Sequence, residues 1–213
     1  MKHKLLNIVV FSVIVYVLPL WGHWEQLLSI PLLFLLLKTI ALVFTQPPIT
    51  LQGVQTQAAH DRFSTLGIVL VYVGSQAAAM IEWMYVGKGQ VIVDGVFVTG
   101  VIGIIGGLWF RTWCIQTLGR FFTSEVQIQH EQRIITSGAY QYVRHPSYLG
   151  AYVAIVGSTL VVHAYMTALA TAVLLGGAYY YRILVEEATL VAAFGEEYAR
   201  YQKVSKRFLP FVY

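Results

Sequence analysis

Six apolar runs constrain the fold of this chain more than any other feature. They cover residues 5–20, 27–44, 63–86, 91–114, 149–162 and 165–181. A bilayer's hydrocarbon core takes about 20 helical residues to cross. Backbone exposed to lipid must satisfy its own hydrogen bonds, so runs of this length form helices. Only 11% of the residues are charged and 57% are hydrophobic, where soluble domains carry about 25% charged residues. The expectation is an all-α fold, a polytopic transmembrane helical bundle of about five to six spans. The last two runs are separated only by His163 and Ala164, which predicts a tight turn and a C-terminal helical hairpin. From Glu186 onward the chain reads as a charged, amphipathic tail ending in Phe208-Leu209-Pro210-Phe211-Val212-Tyr213.

The first run follows Met1-Lys2-His3-Lys4, as a secretion signal would. Bulky Leu18-Pro19-Leu20-Trp21 stands where small residues would be cleaved, so it is expected to remain as an uncleaved membrane helix. Gln46 to Arg62, with Pro47-Pro48, reads as a loop or surface helix. Gly100, Gly103, Gly106 and Gly107 let a neighbouring helix approach closely. The chain reads as one integral-membrane domain, 1–213, with N-terminal spans in 1–95 and a core holding the polar motifs in 96–213.

Charge placement orients it. With six spans, Lys2, Lys4, Arg62, Arg120, Arg133, Arg144, Arg200, Lys203, Lys206 and Arg207 fall on one side, and only Lys88 falls clearly on the other. Positive residues favour the cytoplasm, so the loop before the hairpin and the tail are both expected there. The net charge of +4 calls for no nucleic-acid partner. The single cysteine, Cys114, excludes an internal disulfide. The histidines have no metal-ligand spacing, so no metal site is expected. No GxSxG, P-loop or GxGxxG motif is present.

The chemistry-bearing residues cluster in a hinge, residues 138–150, which holds Tyr140, Tyr142, Arg144, His145, Pro146 and Tyr148 between Gly138 and Gly150. Proline keeps the preceding residue out of the α region and suits the first helical position. His145 is therefore expected at a helix entrance, where free N–H groups favour an anion. Arg111, near the inner end of the fourth run, either snorkels to the interface or holds an anion with its guanidinium fork. Lys38 is expected to snorkel. Arg182 and Glu186 are at i,i+4 and read as a helical ion pair. Glu186 and Glu187 point about 100° apart on a helix, so one can pair while the other faces a ligand. The hairpin brings these carboxylates back beside the hinge. The resulting pocket suits a polar cofactor with anionic and cationic ends, and its membrane side suits an apolar substrate.

Three pieces of sequence, in order, resemble the isoprenylcysteine carboxyl methyltransferase family, within the wider superfamily that includes phospholipid methyltransferases. They are Arg111 followed by Leu118-Gly119-Arg120-Phe121-Phe122-Thr123, then the whole hinge, then Arg182 with Glu186-Glu187, Leu190, Phe194-Gly195-Glu196-Glu197-Tyr198, Tyr201 and Arg207-Phe208-Leu209-Pro210-Phe211. The resemblance covers roughly residues 100–213, and the size looks like that of small prokaryotic members. It implies a multi-pass integral-membrane enzyme that uses S-adenosyl-L-methionine with its site facing the cytoplasm; in a prokaryote that membrane is the inner or plasma membrane. By the same resemblance Tyr140, Arg144, His145, Pro146, Tyr148, Leu149, Gly150, Arg182, Glu186, Glu187, Tyr198 and Tyr201 would form the donor site. The tail would act as a lid, with Tyr198 and Tyr201 near the adenosine. Arg111 would orient the acceptor, and Glu186 or Glu187 would assist catalysis.

Methyl transfer to a carboxylate needs alignment and a dry site rather than a strong base. The expected acceptor is a lipophilic small molecule or a prenylated chain, most simply an isoprenylcysteine carboxylate. A phospholipid amine or a thiol is the alternative within the superfamily. An NADPH-dependent sterol-type reductase and a non-enzymatic membrane scaffold are the alternatives outside it. Oligomeric state is left open.

Overall fold

The computed structural model describes residues 2–45, 63–123 and 130–208. The expected loop from Gln46 to Arg62, the cation Arg62 and the terminal Leu209-Pro210-Phe211-Val212-Tyr213 lie outside the described residues. Those described form helices without a β-strand, and the all-α expectation holds. We label the helices α1 (Lys2–Ser12), α2 (Ile30–Thr45), α3 (Ser64–Ile81), α4 (Gly95–Leu118), α5 (Pro146–Val161), α6 (Tyr165–Phe194) and α7 (Glu196–Val204). Helices α1 and α3 each run on into a π-helical turn, Val13–Val17 and Glu82–Val86. Three stretches are long and apolar enough to cross a membrane: Ser64–Val86, Gly95–Phe121 and Tyr165–Phe194. Three shorter apolar helices, Lys4–Leu20, Ile30–Thr45 and Pro146–Val161, accompany them. Large apolar side chains such as Ile102, Ile105, Trp109, Leu169 and Val173 point outward, as in an integral membrane protein, where lipid covers that surface.

The most extensive helix contact is α4 against α5, and glycine is the reason. A Cβ on Gly107 would lie 2.5 Å from the Gly150 carbonyl oxygen, and one on Gly100 would lie 2.7 Å from that of Gly157. Backbone therefore packs directly on backbone along this seam. Helix α6 pairs with α3 on one side and α5 on the other. The turn between α5 and α6 is as short as expected, with His163 in the left-handed region at φ 52°.

Two corrections to the sequence reading bear on the site. Helix α6 does not end near Tyr181 but continues to Phe194, so Glu186 and Glu187 sit on its last turns rather than in a tail. The tail proper is α7, set off by Gly195 at φ 53°, a conformation that glycine adopts without penalty. Lys38 does not snorkel. It is fully buried, donating to Gln76 Oε1 and, at 3.1 Å, to Ser158 Oγ.

The opposite membrane face is stapled by two carboxylates. Glu82 accepts hydrogen bonds from Met166 N, Thr167 N and the Thr167 hydroxyl, capping α6. Asp94 accepts from Val96 N and Phe97 N, capping α4, and lies 3.0 Å from His163 Nε2. These hydrogen bonds, led by that from Phe97 N, hold the Asp94 carboxyl below its ordinary range.

Candidate functional site

The hinge folds against the tail. Val143 and Lys206 form a parallel bridge, with Arg144 N donating to Lys206 O and Lys206 N to Tyr142 O, both at 2.8 Å. Inside this bridge lies a buried ion cluster. Arg144 Nε is 2.6 Å from Glu187 Oε1, and Arg207 Nε is 3.1 Å from Glu187 Oε2. Gln202 donates to the same carboxylate, and Arg144 also donates to the carbonyls of Gln202 and Ser205. The hydroxyl of Tyr201 donates to Tyr140 O at 2.5 Å. Tyr198 and Tyr201 pack edge to face beneath. Burial raises the Tyr198 phenol far above its ordinary range and pushes that of Tyr201 up to about 12, so both stay neutral.

His145 precedes Pro146 at the N-terminus of α5, as the dipeptide predicts. Its ring is 5% exposed and stacks on Tyr148, which in turn stacks on Tyr179. The His145 Nδ1 is 3.8 Å from Glu186 and its Nε2 is 3.5 Å from Glu187. Buried Nε2 makes no well-formed hydrogen bond. The two adjacent glutamates divide their work. Glu187 is held within the ion cluster, while Glu186 lines a cavity and accepts a 2.8 Å hydrogen bond from the Tyr148 hydroxyl.

That cavity is polar and encloses about 70 Å³. Tyr140, Arg144, His145, Ser147, Tyr148 and Glu186 line it, with an apolar wall from Leu118, Phe121, Phe122 and Leu190. A second, larger cavity of about 350 Å³ is lined mainly by apolar side chains. It is built by α1 (Lys4, Asn7, Phe11), α2 (Thr39, Leu42, Val43), α3 (Thr65 to Val73), α5 and α6. Tyr148, Phe122 and Thr123 line both cavities, so these residues are the partition between a polar and an apolar chamber.

Two arginines stand on the apolar side of this partition. Arg111 is 3% exposed, which excludes snorkelling. One of its terminal nitrogens donates to Ser147 O at 3.0 Å, and its guanidinium lies over the Phe122 ring. Its Nε is buried without a partner. Arg182 donates to the hydroxyls of Ser64 and Thr65 and, at 3.4 Å, to Tyr148. The Tyr148 hydroxyl thus links Arg182 in one chamber to Glu186 in the other.

Of the candidates read from the sequence, Tyr140, Arg144, His145, Tyr148 and Glu186 line the polar chamber, and Arg111 and Arg182 line the apolar one. Pro146, Leu149, Gly150, Glu187, Tyr198 and Tyr201 line neither. Gly150 packs on Gly107 and Arg111 instead. Sequence reasoning missed Gln132, Ser147 and Thr189 in the polar chamber and Thr39, Tyr72 and Tyr179 in the apolar one. Only their convergence in space marks them.

The fold and site define a class: a helical membrane protein with a polar chamber that shares a wall with a larger apolar one. Comparison with known proteins sharpens this. Residues 99–192 match the isoprenylcysteine carboxyl methyltransferase (ICMT) family, so that segment is similar to the family. The chain is 36% identical over 115 residues to protein-S-isoprenylcysteine O-methyltransferase B of Arabidopsis thaliana, covering 53% of this chain and 58% of that one. It is 31% identical over 117 residues to protein-S-isoprenylcysteine O-methyltransferase of Homo sapiens, covering 54% and 41%. The matches span about half the length of these curated relatives. Its fold is similar to the solved structure of the eukaryotic intramembrane Ras methyltransferase ICMT, with a TM-score of 0.51, 18% identity, and 99% and 97% of the two chains covered.

Proposed function

We propose that this protein is an integral-membrane methyltransferase that takes its methyl group from S-adenosyl-L-methionine and passes it to the carboxylate of a lipophilic, isoprenylcysteine-like acceptor. The observation that supports this most is the pair of chambers meeting at Tyr148, Phe122 and Thr123. A polar donor and a greasy acceptor can meet there without sharing a solvent.

The residues of the polar chamber fit the donor. Glu186 suits its ammonium group. The open N-terminus of α5, with Arg144 and His145 beside it, suits its carboxylate. The apolar wall of Leu118, Phe121, Phe122 and Leu190 suits its adenosine. The enclosed volume is smaller than the whole molecule and matches the amino-acid end. When bound, the sulfonium supplies a reactive methyl carbon for in-line displacement.

The protein's own residues supply binding, alignment and exclusion of water. Lys4, Arg111 and Arg182 all line the apolar chamber, and among the described residues no carboxylate does. A cationic lining favours an anionic acceptor and disfavours an amine. Arg111, with a buried Nε in need of a partner, is the residue to hold and orient the acceptor carboxylate. A carboxylate is already a nucleophile, so no base is required. Residues 1–95 supply one wall of the acceptor chamber, and 96–213 supply its other wall and the donor site, within one domain, 1–213. The positive-inside distribution supports a donor chamber that faces the cytoplasm.

The test uses the detergent-purified protein. S-adenosylhomocysteine should raise its melting temperature and NADPH should not. Labelled S-adenosylmethionine and an N-acetyl-S-prenylcysteine should yield a base-labile methyl ester. Stabilisation by NADPH alone, or label recovered only on phospholipid amines, overturns the proposal.

A further inference from the structure

The floor of the apolar chamber carries polar groups that methyl transfer does not use. Tyr72 lines the chamber, and its hydroxyl oxygen is buried without a well-formed hydrogen bond. Thr39, beside it, is already engaged. Its hydroxyl donates to Leu35 O at 2.9 Å and lies 2.8 Å from the Tyr16 hydroxyl. Behind the Tyr72 ring stands Lys38, its Nζ 5.2 Å from the ring centroid. Lys38 is fully buried, and its hydrogen-bond partners, Gln76 and Ser158, are both neutral. An N–H group held over the face of a phenol draws electron density from the ring and so sharpens its O–H as a donor. In a low-dielectric interior an unmatched donor is costly to leave empty. Phe11, stacked on Tyr72 at 5.1 Å, closes the floor beside it.

The anion-holding end is fixed separately, by Arg111 and by Arg182 on Thr65. Tyr72 lies seven residues beyond Thr65 on α3, a rise of about 10 Å. We propose that the apolar chamber is a two-point site. Its occupant is anionic at the end nearest the partition and carries a hydrogen-bond-accepting oxygen, a carbonyl or ether, about 10 Å deeper, where Tyr72 donates to it. This deepens the acceptor assignment above and rests on it for the anionic end.

The test measures binding without donor, by titrating the purified protein with N-acetyl-S-prenylcysteines that differ only in a ketone moved along the prenyl chain. Affinity should peak at one ketone position, about tenfold above the unmodified parent, as expected for one buried hydrogen bond. Tyr72→Phe should erase that peak, so that no ketone position binds the variant more tightly than the parent compound does. Lys38→Met should lower the peak. Because Lys38→Met also empties a buried cluster and puts folding at risk, the isosteric Tyr72→Phe decides the matter alone. A flat series in the native protein, or a peak that survives in Tyr72→Phe, overturns the two-point site. Methyl-ester formation on the parent with a flat series leaves the methyltransferase standing and sinks only this inference. Peaked binding without any methyl transfer does the reverse.

Discussion

The two chambers solve opposite problems with the same kinds of residue. Behind the polar chamber, the charges of the ion cluster are matched: Glu187 answers Arg144 and Arg207, and Arg144 also bonds carbonyls of the tail. On the apolar side, valences remain open at Arg111 Nε and at the Tyr72 hydroxyl. Matched charges hold a structure together, whereas open ones await a ligand. Residues that build the site are thereby told apart from residues that use it, even where they are neighbours in sequence, as Glu186 and Glu187 are.

The sharpest way to break this contrast is Glu187→Gln. If Glu187 is architectural, its loss leaves Arg144 and Arg207 buried without their countercharge, at a cost of about 3–5 kcal/mol. Limited proteolysis should then cut near Gly195, and the melting temperature should fall. Stability equal to wild type, with lost donor binding, would move Glu187 into the ligand-facing group. Arg111→Gln is the converse test. It should leave the fold and S-adenosylhomocysteine binding intact and lower turnover about 100-fold, the scale of one lost charge-stabilising contact. Weakened donor binding would place Arg111 in the wrong chamber. Gly107→Ala should destabilise by about 1–3 kcal/mol through overpacking, read from denaturation in detergent, because the new methyl group meets the Gly150 carbonyl.

The smallest effect is expected at the far face. The folded Asp94 carboxyl is held below its ordinary range. Its contribution is therefore present above the unfolded value, near about pH 4. It is lost as pH falls through the lower, folded value. Asp94→Asn should flatten this acid limb of the stability profile. An unchanged profile would show that the cap of α4 does not depend on the charge.

Legibility in the sequence follows the same division. The hinge, the hairpin turn and the helix start at Pro146 are readable because each is set by local chemistry: a proline, a two-residue gap, a run of polar groups. The extension of α6 past Tyr181 is hidden because charged residues look like a helix end when they in fact line a buried cluster. Lys38 misleads for a related reason. Its partners Gln76 and Ser158 lie 38 and 120 residues away, and no spacing rule connects them. The division of labour between Glu186 and Glu187 is equally out of reach, since it depends on where Arg207 returns from the chain's far end.

The glycine seam between α4 and α5 has a mechanical consequence. Helices that meet backbone to backbone have few side chains between them to re-pack, so sliding or tilting one against the other has no cheap intermediate. Arg111, on α4, and His145, at the start of α5, are thus fixed in one rigid body. That body serves as the molecule's ruler. Any breathing that admits a bulky occupant from the bilayer falls to the side-chain contacts of α1, α2 and α3, leaving the distance between the two chambers' key residues unaltered.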